Sequence, residues 1–131
     1  MAEQRRLRVL LVDDEPDMLA LLQAVVAATS WEVVGRATNG PDAMRLAAQI
    51  APDVTVVDYR MPGENGLQLA ERLKALKPNV VVVMFSAQNT VEQEALDSGF
   101  VDRFARKGDL RNLRRMLDEI HDELRSRLGD A

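Results

Sequence analysis

Cysteine is absent from the sequence, and histidine occurs once, at His121. Without cysteine the chain has no disulfide framework, no thiolate zinc site and no cysteine nucleophile, which suits a reducing compartment such as the cytosol. Aromatic residues make up only 4% of the chain. No apolar run approaches the roughly 20 residues of a membrane span, and the first eight residues lack the apolar run of a signal peptide. We therefore expect a small soluble protein.

A surplus of positive charge is also missing, because 17 Lys and Arg face 21 Asp and Glu. The net charge of −4 gives the chain as a whole no basic footprint for nucleic acid. What is present is a globular composition, with 47% hydrophobic and 29% charged residues over 131 positions. This length holds one ordinary domain with a buried core. We expect that domain at 7–128, with tails at 1–6 and 129–131.

Short apolar segments alternate with amphipathic segments along the chain. The apolar segments predict five strands, at Leu7–Val12, Glu32–Gly35, Asp53–Val57, Asn79–Phe85 and Val101–Ala105. The amphipathic segments predict five helices, the last from about Leu110 to Leu128. The fourth strand is apolar without alternation, as expected when helices cover both faces of a sheet. The pattern predicts an α/β fold with a parallel five-stranded sheet.

Polar residues follow the predicted strands at their carboxyl ends, where open parallel sheets bind ligands. The first strand ends in Asp13 and Asp14, the third in Asp58 and the fourth in Ser86, and Lys107 follows the fifth. Two carboxylates about 4 Å apart repel each other by roughly 4 kcal/mol at an effective dielectric of 20. One ammonium does not neutralise three such groups, whereas Mg²⁺ does, and the lack of His or Cys ligands argues against zinc. A carboxylate beside Mg²⁺, a hydroxyl and an ammonium forms a phosphoryl-accepting arrangement.

Four motifs resemble the receiver domain of two-component response regulators. They are VDDEP at 12–16, DYRMPGENG at 58–66, Ser86-Ala87 after an apolar strand, and Lys107 near the end. The motifs occur in the family's order at the matching strand ends, and the resemblance runs from about Leu7 to Leu128. It implies a flavodoxin-like (βα)5 fold with strand order 2-1-3-4-5, a cytoplasmic location, and a phosphorylation switch instead of a turnover enzyme.

The resemblance also implies which residues receive the phosphoryl group and the metal. Asp58 would accept a phosphoryl group from the phosphohistidine of a sensor histidine kinase or phosphotransfer protein. Mg²⁺, or Mn²⁺ in its place, would be held by Asp13, Asp14 and Asp58. The backbone carbonyl of Arg60 would complete the protein ligands.

Three further roles are carried over from the family. Lys107 would pair with the phosphoryl group, and Ser86 would hydrogen-bond it. Phe104 would be the aromatic switch residue behind Ser86. The segment before Phe104 holds one residue more than many receivers have, so Phe100 is the alternative switch aromatic.

Arg60 and Gln88 lie two positions beyond Asp58 and Ser86. In receiver domains these two positions vary, and their side chains face the phosphoryl group. We expect Arg60 to modulate the hydrolysis of phosphorylated Asp58. Lys107 is followed by Gly108, where receivers frequently have proline, which predicts a looser loop there.

Some of these residues also have a structural interpretation. Asp14 taken alone is a favoured N-cap for the helix that follows, although its neighbours favour the metal role. Asn65 with Gln68 has the spacing of a capping box, as does Thr90 with Gln93.

Two aromatic residues outside the site are expected to have no chemical role. We expect Trp31 to pack at the start of the second strand, because its neighbours are strand residues. His121 lies among charged residues of the last helix. A solvated position is therefore favoured for His121 over a phosphocarrier role.

The last helix and its surroundings predict the interaction surfaces. Leu124 and Leu128 extend the apolar stripe towards the sheet or, alternatively, towards a partner helix or output domain. A basic cluster borders an acidic one, with Arg103, Arg106, Lys107, Arg111, Arg114 and Arg115 beside Asp118, Glu119, Asp122 and Glu123. This pattern fits a homodimer through the face of helix 4, strand 5 and helix 5 that the family uses. No direct nucleic-acid or membrane binding is expected.

Two other classes of function remain as alternatives. One is a phosphorylation-independent interaction module of receiver fold, although such modules usually lose acidic or lysine positions that this chain keeps. The other is a Mg²⁺-dependent phosphohydrolase with an aspartate nucleophile. In that class the nucleophile ends the first strand in an Asp-x-Asp pattern, whereas this chain has Asp13-Asp14-Glu15.

Overall fold

The computed structural model describes residues 6–127. Residues 1–5 of the expected first tail, the expected tail at 129–131 and the expected helix end at Leu128 lie outside this range. The strands are β1 Arg8–Val12, β2 Glu32–Ala37, β3 Val54–Val57, β4 Val81–Ser86 and β5 Arg103–Arg106. The helices are α1 Pro16–Ala27, α2 Gly40–Ile50, α3 Gly66–Leu76, α4 Glu92–Asp97 and α5 Leu110–Arg127, with a 3₁₀ turn at Asn89–Val91 before α4.

All five strands run parallel in the order β2-β1-β3-β4-β5, which confirms the predicted fold. The order reverses between β1 and β3, and this switch point leaves their carboxyl ends side by side. Two apolar cores cover the sheet. α2, α3 and α4 pack on one face, while α1 and α5 pack on the other. The sheet is thus buried on both sides and open to ligands only at its ends.

The second strand is longer than its sequence pattern predicts, and an extra residue explains the difference. Val9 pairs with Val33, but Leu10 pairs with Gly35, so that Val34 is an unpaired extra residue in β2. Such a bulge interrupts the alternation of inward and outward side chains. β2 therefore continues to Ala37 although the pattern ends earlier.

The fifth strand begins at Arg103, two residues later than predicted. Asp102 takes the place of a strand residue there. Its backbone N–H donates to the carbonyl of Val82 at 2.9 Å, and its carboxylate accepts the N–H of Val82 at 2.8 Å. A side chain thus substitutes for a backbone carbonyl, and Val101 lies before the strand.

Of the two predicted capping boxes, one is formed and the other is not. Asn65 accepts from the N–H of Gln68 and Gln68 accepts from the N–H of Asn65, both at 2.9 Å, which confirms the first box. The second prediction is wrong, because Val91 is the N-cap of α4 and makes no side-chain bond. Thr90 lies inside the 3₁₀ turn that precedes α4.

Trp31 fastens α5 to the sheet. Its indole is buried, as predicted, and its Nε1 donates to the carbonyl of Leu117 at 3.0 Å. The ring of His121 stands edge-on to this indole, with centroids 5.7 Å apart. The expectation of a solvated histidine is therefore wrong, since the His121 side chain is only 19% exposed. Among residues 6–127, no helix is long and apolar enough to cross a membrane.

Candidate functional site

The acidic residues predicted to form the site meet at the carboxyl edge of the sheet. Asp13, Asp14 and Asp58 each offer a carboxylate oxygen, and these three oxygens lie within 4.8 Å of one another. Asp13 and Asp58 are buried, whereas Asp14 is exposed. The three carboxylates come from the ends of the neighbouring strands β1 and β3, as the parallel order requires.

Backbone hydrogen bonds position these residues by continuing the sheet past the strand ends. The N–H of Asp13 donates to Ala37 at 3.1 Å, and the N–H of Asp58 donates to Val12 at 2.9 Å. The N–H of Lys107 donates to the carbonyl of Ser86 at 3.0 Å. The backbones of Asp13, Asp58 and Lys107 are therefore held in place by hydrogen bonds to the neighbouring strands.

Asp14 does not cap the first helix. The N-cap of α1 is Glu15, which makes no side-chain capping bond, and the backbone N–H of Glu15 donates to Asp13 Oδ1 at 2.9 Å. The capping alternative for Asp14 is therefore wrong. Its carboxylate is left to face the cavity at the carboxyl edge of the sheet.

The ammonium of Lys107 lies among the carboxylates. Its Nζ is 2.9 Å from Asp13 Oδ2, 3.3 Å from Asp58 Oδ2 and 3.8 Å from Glu15 Oε1. Glu15 was not among the predicted site residues. In the sequence it stands directly before the first helix, and nothing there marks it as a partner of Lys107. Its carboxylate nevertheless reaches the same cation.

Burial and charge shift the pKa values of the two groups in contact. Burial, and next the charge of Asp13, raise the pKa of Asp58 from 3.8 to about 6, although Lys107 and the N–H of Arg60 oppose the shift. Burial by itself would lower the pKa of Lys107. The hydrogen bond to Asp13 and the charges of Asp58 and Asp13 outweigh it, so the pKa of Lys107 is raised. At neutral pH the cation is charged and Asp58 is mainly ionised.

The donor set at this edge suits a hard divalent cation. It consists of carboxylate oxygens without imidazole or thiolate, and three carboxylates face one ammonium. Asp13 Oδ2 is buried, and the ammonium of Lys107 lies 2.9 Å from it. Oxygen ligands and uncompensated negative charge are what Mg²⁺ requires. The residues present therefore fit this ion.

A cavity of about 290 Å³ opens above the carboxylates, and Arg60 and Gln88 lie on its rim. Arg60 Nε donates to Gln88 Oε1 at 2.9 Å, which joins the loop after β3 to the loop after β4. The backbone N–H of Gln88 also donates to Ser86 Oγ at 2.9 Å. Gln88 thus contacts both the cavity rim and the predicted hydroxyl.

The two candidate switch aromatics lie in the same core. Phe104 is buried on β5, where it pairs in register with Met84, while Ser86 pairs with Arg106. Phe100 is half-buried and packs on the edge of that core. Phe104 is therefore the aromatic that stands on the strand beside Ser86.

The basic cluster that begins in β5 is partly neutralised within the chain. Arg103 reaches Glu119 at 2.7 Å and Glu123 at 2.5 Å, so the mixed charge pattern forms intramolecular ion pairs at this point. Arg106 lies 3.7 Å from Glu92 of α4. These contacts fasten α4 and α5 to β5.

Comparison with known proteins agrees with this geometry. The family model described as the response regulator receiver domain matches residues 9–118. The chemotaxis protein CheY of Thermotoga maritima is 33% identical over 97 residues, which cover 72% of this chain and 81% of that protein. A protein-glutamate methylesterase/protein-glutamine glutaminase of Agrobacterium fabrum is 35% identical over 125 residues, covering 91% of this chain. The chain spans only 36% of that relative's length.

A solved structure adds a bound ligand to the comparison. The response regulator protein TrrA of Thermotoga maritima, in complex with Mg²⁺ and BeF, superposes with a TM-score of 0.79 at 25% identity. The superposition covers 86% of this chain and 97% of that one.

Proposed function

The chain belongs to the family of response regulator receiver domains, and from this premise we propose that it is a phosphorylation switch with Asp58 as its acceptor. Receiver domains are signalling switches and not turnover enzymes. The observation that carries the proposal is the contact of Asp58 with Lys107 at 3.3 Å, inside a cluster of three carboxylates. This cluster combines a nucleophile with charge compensation for an incoming phosphoryl group.

The acceptor reaction follows from the ionisation of Asp58. An ionised carboxylate oxygen attacks the phosphorus of a phosphohistidine, the P–N bond breaks, and the imidazole nitrogen keeps the electron pair. Because the pKa of Asp58 is about 6, most of the side chain is ionised at neutral pH. Lys107 lies close enough to compensate the charge of the phosphoryl oxygens. The product is an aspartyl phosphate.

Asp13, Asp14 and Asp58 would hold Mg²⁺, and the backbone carbonyl of Arg60 would complete the protein ligands. Mn²⁺, which takes similar oxygen ligands, would substitute for it. The bound ion would neutralise charge on the carboxylates and on the phosphoryl oxygens. The Mg²⁺ complex of the relative TrrA supports this assignment.

The switch would start at Ser86. Its Oγ accepts the N–H of Gln88, and rotation towards a phosphoryl oxygen would exchange that bond for a stronger, charge-assisted one. Phe104 lies on the neighbouring strand β5, opposite Met84 and two positions before the partner of Ser86, so a shift of the β4 end would change the packing of this ring. A few kcal/mol of difference between two states is enough to change their populations.

The partners follow from the family. A sensor histidine kinase or a phosphotransfer protein would donate the phosphoryl group in the cytoplasm. A homodimer would form through α4, β5 and α5, where exposed arginines such as Arg111 and Arg115 lie near exposed acids such as Asp118. An effector or output domain would read the switched face, as the greater length of the methylesterase relative illustrates.

Intact mass spectrometry tests the proposal. The chain is incubated with Mg²⁺ and acetyl phosphate or phosphoramidate, with a chelator as the parallel condition. We expect a mass gain of one phosphate that requires Mg²⁺ and is lost in Asp58→Ala. Multiple turnover of a phosphate ester would instead indicate a phosphohydrolase, and no mass gain would support a phosphorylation-independent module.

A further inference from the structure

The loop between β3 and α3 carries both Asp58 and Arg60, and its two ends are fastened to each other. The N–H of Gly66 donates to the carbonyl of Tyr59 at 2.7 Å. A Cβ on Gly66 would come within 2.2 Å of the carbonyl oxygen of Asp58, so only glycine fits against this backbone. The two ends of the loop are therefore held next to each other, and residues 60–65 form the excursion between them.

Within residues 60–65, the side chain of Glu64 contacts the start of α2. The three atoms nearest to a Cβ built on Gly40 all belong to Glu64, with Oε1 at 2.0 Å, Cδ at 3.0 Å and Cγ at 3.5 Å. The carboxylate thus rests on the Cα of the first residue of α2. The Glu64 side chain is only 18% exposed, so this contact is largely shielded from water.

Arg72 of α3 contacts the same carboxylate. Its Nη1 donates to Glu64 Oε1 at 2.6 Å. The N-terminus of α2 adds a positive dipole end on which a carboxylate is favoured. A half-exposed ion pair contributes little stability by itself. This ion pair matters for the position of the loop, because one carboxylate contacts both α2 and α3 and so joins the loop to these two helices.

We propose that Glu64 is a positioning residue for the metal site, acting through its contacts with Gly40 and Arg72. These contacts fix the path of the loop and with it the carbonyl of Arg60, the one backbone group assigned to the metal. The inference rests on the proposed function, in which that carbonyl is a ligand. A ligand on a loop already held in place loses less conformational freedom when the ion binds.

A double-mutant cycle in the 131-residue chain tests the proposal by isothermal titration with MgCl₂. In Gly40→Ala the new Cβ displaces the carboxylate, and we expect Mg²⁺ binding to weaken about tenfold, as for other supports of metal ligands. Glu64→Ala should weaken it equally. Adding Gly40→Ala to Glu64→Ala should cause no further loss, because the Cβ then meets no carboxylate.

Arg45→Ala is the matched control, because it removes an ion pair of α2 to Asp42, at 2.7 Å, that does not touch the loop. It should leave the Mg²⁺ dissociation constant unchanged. Amide chemical shifts of residues 60–65 in the metal-free protein provide a second measurement. They should move in Gly40→Ala and stay in place in Arg45→Ala.

Two results would overturn the proposal, and they are distinguishable. If Gly40→Ala and Glu64→Ala lower the free energy of unfolding but keep the parent's Mg²⁺ affinity and loop shifts, the contact is only structural. If the parent chain binds no Mg²⁺, or binds it equally well after Asp58→Asn, the proposed function itself fails. Additive losses in the cycle would also contradict the role of the Glu64–Gly40 contact.

Discussion

Nζ of Lys107 lies 3.3 Å from Oδ2 of Asp58, which joins the loop after β5 to the end of β3. The same ammonium lies 2.9 Å from Asp13, so one cation serves two buried carboxylates. Removing it leaves their repulsion uncompensated in a site of low dielectric.

We predict that Lys107→Met raises the pKa of Asp58 above about 6, because Lys107 lowers that pKa in the parent. Breaking a buried pair from one side should also lower the free energy of unfolding by about 3 kcal/mol at pH 7. Carboxyl NMR titration and urea unfolding in the presence of a chelator measure the two effects. An unchanged Asp58 pKa would show that the contact is not formed in solution.

Asp58→Asn is predicted to stabilise the metal-free chain at pH 8. The pKa of Asp58 is raised from 3.8 to about 6 in the folded state, so the folded chain holds this proton more tightly than the unfolded chain. The stabilisation from that proton is complete below pH 3.8 and is lost as the pH rises through about 6. Removing the charge should therefore add up to about 3 kcal/mol at pH 8.

Urea unfolding of parent and Asp58→Asn between pH 4 and 8, with a chelator, checks this prediction. The advantage of the variant should shrink as the pH falls through 6, because the parent carboxyl then becomes neutral. Saturating Mg²⁺ should reverse it, since only the parent keeps its full set of ligands. An advantage independent of pH would contradict the assigned cause.

Arg60→Ala is predicted to change the rate at which phosphorylated Asp58 loses its phosphate. Arg60 and Gln88 meet on the cavity rim at 2.9 Å, and removing the guanidinium opens that side to water. We expect loss to be at least about threefold faster, a change of roughly 0.6 kcal/mol in the barrier. Phosphate release after removal of the donor measures it, with the exposed Arg45→Ala as control. Equal rates would reject a role for Arg60.

Thr55→Val is predicted to stabilise the fold. The hydroxyl of Thr55 is buried in β3 and has no hydrogen-bond partner among the described residues. Valine keeps the shape and removes the unsatisfied group, which should add about 1 kcal/mol to the free energy of unfolding. Thr90→Val, at an exposed position, should change it by less than about 0.5 kcal/mol. Destabilisation by Thr55→Val would reveal a hydrogen bond to that hydroxyl.

The sequence predicted the fold and the acidic cluster because both depend on patterns of neighbouring residues. Apolar segments of strand length mark β1, β3 and β4, and the polar residue after each of them lies at one edge of a parallel sheet. The proximity of Asp13 and Asp58 can therefore be predicted without knowing the conformation of the loops. Boundaries failed where a local rule was broken, as at the unpaired Val34 in β2 and the carboxylate of Asp102 before β5.

The contacts that the sequence did not predict join residues distant along the chain. Glu64 and Gly40 carry no motif that links them, and the reason for a glycine at 40 appears only when the carboxylate lies against it. His121 looked solvated because its neighbours in sequence are charged, yet its own side of α5 faces Trp31. Packing between elements decides such contacts, and helical or strand periodicity describes only one element at a time.

The most direct test of the account is to locate the phosphoryl group on the chain. After incubation with Mg²⁺ and acetyl phosphate, borohydride reduces an aspartyl phosphate to homoserine, and peptide mapping by mass spectrometry then identifies the converted position. We predict conversion at Asp58 alone, and none when Mg²⁺ is chelated. Conversion at Asp13 or Asp14 with Asp58 intact, or no conversion at all, would contradict the assignment of Asp58 as the acceptor.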